Sequence, residues 1–473
     1  MWNIPETLHC AGPLDRRTWL KIGVLSMGAL ATGPGLNLAR VLAAQARAGR
    51  ADEKFSVILF WANGGPSHID LFDLKPNAPA EYRGPFRPIH TNVPGMEITE
   101  LLPNLAKLGD KIAIIRSLHH DRAEHSGGTH RFLSGYSSRA ANLNDAEYPE
   151  IGSIVARQLE GQTRDVPVFV ANTKFYGGGP AYLGPAYAAF MPAPNPMTST
   201  GNNTYDPVPI YRTAASMDNL SLTVEAARLQ QRGRLLEVLD RIPPAIDAHG
   251  EMDALDHFNR RALEILTSPR TRNAFDLSQE DARTRERYGD SHWGRSLLTC
   301  RRLVEVGVRF VQCQATFRLR SETGRTSNWD DHSVNSHIFR AYEEKLPQFD
   351  RAVPALIEDF HARGLAKHVL FIFCGEFGRT PQIKHQDPSG RPGRDHWPQA
   401  MSVLLAGGGL RTGQVIGATN KRAEEPVERI MDSNCLLATI YDRFGIDTTE
   451  TYPDHSGRPL PILPNGTSIT ELI

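Results

Sequence analysis

Residues 55–73 read FSVILFWANGGPSHIDLFD, and this stretch decides the fold class. Seven residues of apolar and β-branched character, 55–61, have strand length and no polar alternation, the pattern of a strand covered on both faces. Asn63-Gly64-Gly65 then permits a tight turn, and the acids Asp70 and Asp73 come next. Similar runs recur at 112–117, 166–170, 308–315, 368–374 and 401–406. Helix-period segments lie between several of them, at 151–159, 294–304 and 339–361, the last stopped by Gly364. This alternation predicts a mostly parallel sheet with helices on both faces. In open α/β sheets ligands bind beyond the carboxyl ends of the strands, so the residues just after each run carry the chemistry.

Four polar clusters stand at that predicted edge. After 55–61 comes ANGGPSHIDLFD. After 112–117 comes HHDRAEHSGGTHRFLSGY, with four histidines in twelve residues. After 308–315 comes a polar loop ending NWDDHSVNSH, and after 368–374 come GEFGRTP and GRDHWP. Carboxylates and imidazoles are the natural ligands of Zn²⁺ and similar divalent ions, and glycine turns let backbone amides approach a bound anion. The combination points to a metallohydrolase.

Composition narrows the class further. The 473 residues carry 53 Lys+Arg against 53 Asp+Glu, which excludes a nucleic-acid binder or an acidic tail protein. Neither the 40 glycines nor the 33 prolines are periodic, which excludes collagen and repeat arrays. Five cysteines without a C-x-x-C pair exclude a disulfide scaffold and a zinc ribbon. Cys300, Cys313, Cys374 and Cys435 read as small buried hydrophobes, with a Cys300–Cys313 disulfide left open.

Residues 1–46 are expected to be an export signal. Arg16-Arg17 precedes Thr18-Trp19-Leu20-Lys21, a weakly apolar run over 22–38 and an A-x-A cleavage site at Ala44-Gln45-Ala46. The order is similar to a twin-arginine signal, although Asp15 and Trp19 replace the usual Ser and Phe. It predicts the twin-arginine translocation machinery as a partner and a periplasmic or secreted mature chain without a transmembrane segment. Removing 1–46 takes away four basic and two acidic side chains, leaving 49 against 51. The remainder, 47–473, reads as a single α/β domain. Within it, 173–213 is predicted to be a long loop or lid, and 220–288 a charged helical insertion.

The blocks GGPSHIDLFD, YRGPF, PNLAKL, IIRSLHH, HSGGTHRFLSGY, NWDDH, GEFGRTP, GRDHWP and VLLAGGGLRTGQVIGAT resemble domain-of-unknown-function family 1501. That family is secreted, bacterial and regarded as a relative of the sulfatases within the alkaline phosphatase superfamily. The resemblance covers about 54–447. It implies a three-layer α/β/α sandwich with one or two divalent metals, of Zn, Ca, Mn or Mg type, around a nucleophile at a helix start. By the same resemblance Asp70 is the first-strand carboxylate ligand, Asp330 and His332 are ligands from NWDDH, and His396 is the late histidine. Glu376 stands where the superfamily has an Asp followed by His; Phe377 comes after it here, so one nitrogen ligand is expected to be missing.

In sulfatases a modified Cys opens a C-x-P-S-R…LTG segment. Aligning LTG with Leu133-Ser134-Gly135 puts His125 at that place, beside Ser126, and excludes a formylglycine there unless Ser126 substitutes for the Cys. Ser126 and Thr129 are the candidate hydroxyl nucleophiles at a helix N-terminus, where N–H groups favour an oxyanion. His125 is a candidate ligand or base, and His130 a candidate acid or base. Asn63 and Arg379 are candidate binders of a sulfate or phosphate oxygen. Two functions are compatible with this pattern: an exported metal-dependent hydrolase of small-molecule or glycan sulfate or phosphate esters, or a non-catalytic metal- or glycan-binding protein on the same fold.

Overall fold

The computed structural model describes residues 51–162, 165–192, 208–211, 268–319 and 326–473. The expected signal at 1–46 lies outside them, as do 193–207 and 212–213 of the expected lid and 220–267 of the expected insertion. The described end of that insertion is helical, with helices at Pro269–Phe275 and Ala282–Tyr288.

One sheet organises the chain. Its strands are β1 (Ser56–Trp61), β2 (Ile112–His119), β3 (Phe169–Ala171), β4 (Phe310–Gln314), β5 (Val369–Cys374), β6 (Met401–Gly407), β7 (Gln414–Ile416) and β8 (Met431–Asp432). Their spatial order is β7-β2-β6-β5-β1-β4-β3, with β8 also pairing with β2. All six runs marked in the sequence are strands. The sheet is parallel except for β6, which runs antiparallel to both β2 and β5, a feature the sequence pattern does not announce. β6 comes directly after the irregular segment that leaves β5, with no crossover helix to return the chain to the starting edge, and parallel strands need such a crossover.

Strand alternation divides the core between the two faces. Ile58, Phe60, Val311, Phe371, Phe373 and Leu404 pack with helices α4 (His292–Glu305) and α5 (Ile338–Ala362). Val57, Leu59, Phe310, Ile372, Val403 and Leu405 pack with α2 (His125–Ser134), α3 (Ile151–Gln158) and α6 (Ser433–Phe444). This is the three-layer α/β/α sandwich. A short helix, α1 (His68–Leu71), lies just past the glycine turn after β1. Cys300, Cys313 and Cys374 are buried and all four described cysteines are free thiols. No helix among the described residues is long and apolar enough to cross a membrane.

Because β6 is reversed, its amino end opens at the edge where the parallel strands finish. The segments after β1, β2, β4 and β5 and the segment preceding β6 therefore meet at one place.

Candidate metal centre

Each side chain of the centre is delivered by a separate local device. Trp329 is fully buried, stacked on Trp293, and donates from its ring N–H to Ala315 O at 2.9 Å. Its backbone N–H donates to Asn63 O at 2.7 Å. The loop is thus anchored immediately before Asp330. Gly64 makes the contact possible, since a Cβ there would lie 2.3 Å from Asp330 N and the residue sits at φ +107°. His125 opens α2, which comes close to Glu376 and Phe377 because Gly128 has no side chain to interpose. His396 pairs with Arg379 in a short antiparallel ladder that brings GRDHWP back over GEFGRTP.

Asp330 is the hub. Its Oδ1 lies 3.0 Å from His332 Nε2, 3.1 Å from His396 Nε2 and 3.4 Å from His125 Nε2. It also accepts from Arg379 Nη2 at 2.6 Å. The other nitrogen of every ring faces an acceptor: His125 Nδ1 meets Glu376 Oε1 at 2.7 Å, His332 Nδ1 meets Asp395 Oδ1 at 2.7 Å, and His396 Nδ1 meets Ala123 O at 2.6 Å. An acceptor at Nδ1 places the proton there and leaves the Nε2 lone pair pointing inward.

Lone pairs turned on a carboxylate oxygen repel unless a proton or a cation stands among them. His332 Nε2 and His396 Nε2 are only 3.0 Å apart, and His125, Asp330 and His396 offer ligand atoms all within 4.8 Å of one another. This group can hold a metal ion. The donor set of imidazoles with a carboxylate, each ring steadied from behind, fits a divalent metal ion. His125 and His396 keep about a quarter of their side-chain surface exposed, which leaves the cluster open on one side.

The charges reflect the same crowding. Burial acts to raise the Asp330 carboxyl, but Arg379 and the three imidazoles hold it well below the usual carboxylate range. Burial disfavours charge on His125, yet hydrogen bonds to Asp330 and Glu376 push it up to about 9. Burial lowers His396, with Arg379 adding to the effect. In the metal-free centre one proton therefore resides on His125, and a metal must displace it.

Metal affinity is consequently expected to rise with pH, by up to about tenfold per unit, and to level off near pH 9. The stability of the metal-free protein moves the opposite way. A histidine raised in the folded state stabilises fully below its ordinary value of 6.5, and that contribution is lost as pH climbs through about 9. Calorimetric metal titrations from pH 6 to 9 in two buffers count the released proton. An affinity flat across that range contradicts the assignment.

Of the residues marked in the sequence, the fold brings together His125, Asp330, His332, Glu376, His396 and Arg379. Glu376 is fully buried and orients His125 while accepting Gly64 N–H at 2.8 Å; its Oε2 has no partner among the described residues. Arg379, expected as a binder of substrate oxygens, is fully buried and spends its donors on Asp330 and on the carbonyls of Gly64, Gly65 and Arg394. Asn63 enters through its backbone carbonyl.

Asp70 is not brought to the cluster: both its oxygens pair with Arg394, at 2.7 and 3.1 Å, and Ser67 Oγ donates to one of them. Ser126 Oγ accepts from Leu143 N at 2.8 Å, so the hydroxyl pins a neighbouring loop. Thr129 is buried one turn beyond His125. His130 Nδ1 contacts Gly177 O at 2.8 Å, and its Nε2 has no partner among the described residues. Phe377, next to Glu376, has its ring 4.4 Å from His396 and 5.5 Å from His125 between centroids. Sequence reading missed Asp395 and Arg394, although both sit in the quoted GRDHWP block; an acid or base directly beside a candidate ligand is the available signal.

Fold and centre together define an α/β sandwich protein with a histidine and carboxylate cluster at the carboxyl edge of its sheet. The chain belongs to the family described as protein of unknown function DUF1501, whose model matches residues 54–473. Among solved structures it is similar to the PsFucS1 sulfatase from Pseudoalteromonas sp., at 9% identity and TM-score 0.38, covering 87% of this chain and 72% of that one. It is similar to the lipoteichoic acid synthase LtaP from Listeria monocytogenes, at 9% identity and TM-score 0.35, covering 86% and 78%. A third is the phosphonate monoester hydrolase SpPMH from Silicibacter pomeroyi, at 10% identity and TM-score 0.30, covering 78% and 71%. No curated protein matches the sequence significantly.

Proposed function

We propose that the protein is an exported, metal-dependent hydrolase of sulfate or phosphate esters of small molecules or glycans. The observation that carries this reading is the convergence of three imidazole Nε2 atoms on one oxygen of Asp330, each ring held from behind at Nδ1. His125, His332, His396 and Asp330 would hold the metal. A bound divalent ion polarises an ester oxygen and lowers the pKa of a water or hydroxyl it contacts. The chain's own contribution is positional: Glu376 and Asp395 orient two of the rings, and Arg379 balances the carboxylate in a buried setting.

Water is the nucleophile in this reading, because the Ser126 hydroxyl is engaged by Leu143 N. Ser126→Ala is expected to cost about 1 kcal/mol of stability and to leave metal content and turnover within a few-fold of the parent. Metal analysis combined with a screen of aryl sulfates, phosphate monoesters and diesters makes the test. Loss of turnover with metal retained would return the nucleophile to Ser126. Export rests on the Arg16-Arg17 pair, the weakly apolar run at 22–38 and the A-x-A site at 44–46. Full secretion of an Arg16→Lys, Arg17→Lys double variant would remove that part.

The second reading, a metal- or glycan-binding protein without turnover, draws on Phe377, whose ring occupies space beside His125 and His396 where a further nitrogen is expected. A protein that holds one equivalent of metal and turns over none of the screened esters supports it.

A further inference from the structure

A second polar feature lies away from the metal cluster. Between the β3–β4 edge and the loop after β3 is a cavity of about 440 Å³, inside the range of roughly 300–1,000 Å³ typical of ligand pockets. Its walls are short, mostly alanines, glycines and prolines of the 171–191 segment. Two buried polar side chains also line it: Glu150, just before α3, and Gln312, on β4. Gln312 shares its face of the sheet with Phe310 and the apolar residues packed against α3. Its Nε2 donates to Glu150 Oε2 at 3.3 Å, and its Oε1 has no partner among the described residues.

Leaving such an acceptor unmatched inside a protein is unfavourable, and neither group serves the metal cluster. The side chains around the cavity narrow the ligand. Lys174 and Asp145 pair with each other at the wall and leave no net charge there, and burial pushes the Glu150 carboxyl up to about 7, so the lining favours neither an anion nor an organic cation. What remains is a neutral molecule with several donors. His455, another lining residue, meets the Tyr182 ring edge-on at 6.2 Å, and Tyr182 meets Tyr148, itself stacked on Tyr136 at 4.2 Å. The exposed imidazole face of His455, on a lining that also carries buried acceptors, suits a ring with one C–H face and a hydroxyl-bearing edge.

We propose that this cavity is a binding site for a neutral, hydroxyl-rich ring, a monosaccharide unit, whose hydroxyls donate to Glu150 and Gln312. The proposal holds whether or not the metal centre turns over esters. The cavity wall is nevertheless tied to the helix that carries His125, because His130 Nδ1 contacts Gly177 O, next to the lining residue Gly178.

The test is saturation-transfer NMR and calorimetry of the full chain with galactose, glucose, fucose and xylose, and with choline as a counter-probe, each with and without metal removal by chelator. At least one sugar should bind saturably and with equal affinity in both states. Gln312→Leu should weaken that binding at least about tenfold, and Ala188→Trp, which fills the cavity from an exposed wall position, should abolish it with metal content unchanged. Four outcomes overturn the proposal: no sugar saturates, choline binds in their place, chelation removes sugar binding, or the Ala188→Trp variant binds as the parent does. Failure of the ester screen leaves this result untouched, so the two readings fail separately.

Discussion

Asp330→Asn is expected to lower metal affinity at least about a hundredfold, and turnover of any ester substrate with it. Loss of even an outer partner of a metal ligand typically costs 10–100-fold, and Asp330 is the residue on which His125, His332, His396 and Arg379 all converge. The substitution keeps the shape and an acceptor oxygen for Arg379, so the fold should survive. What is lost is the negative charge that balances a fully buried guanidinium and a cation at the Nε2 atoms. Metal content after dialysis, measured beside circular dichroism, separates loss of the site from loss of the fold. His396→Ala should show the same metal loss with a smaller effect on stability, because a buried cation is not left without its partner. Stoichiometric, tight metal in Asp330→Asn would move the centre elsewhere.

The other large effect concerns stability. Asp70→Ala removes one half of an ion pair in which both side chains are fully buried, and leaves Arg394 charged inside the protein. Breaking such a pair from one side costs about 3–5 kcal/mol, read as a lower denaturant midpoint at unchanged slope. The folded fraction should still carry its metal, because Asp70 contacts Arg394 and Ser67 and not the cluster. Metal loss in folded Asp70→Ala would instead restore Asp70 as a ligand. An Asp70→Leu, Arg394→Leu double variant should recover only part of the stability. Arg394 also donates to the carbonyls of Tyr82, Thr380 and Pro381, and these would be left unmatched.

Much of the molecule was readable in one dimension because strand burial and strand termini are local properties. The run SVILFW is apolar without alternation, since a strand with helices on both faces has no solvent side. Clusters such as NWDDH and GRDHWP stand next to these runs and so fall at the edge where ligands collect. His125, Asp330, His332, Glu376 and His396, which the fold brings together, were therefore marked by type and placement.

Their roles were not, because a role depends on what lies opposite. Asp70 and Glu376 are both acids placed after strands, and nothing local distinguishes them. Arg394, 324 residues further on, meets Asp70 and makes it an ion-pair partner, while His125 meets Glu376 and makes it the residue that orients a ring. Ser126 shows the same limit: at a helix start it reads as a nucleophile, and only the fold reveals that its oxygen accepts the Leu143 N–H.

Composition and periodicity alone determined a two-faced, mostly parallel sheet, the edge where its polar clusters collect, and an inventory of imidazoles and carboxylates. Only the tertiary structure decided that β6 runs backwards and that Asp330 is the common point. It also decided that Glu150 and Gln312 share a cavity. Strand direction and side-chain partnership are set by contacts between segments distant in sequence, whose energies no local window contains.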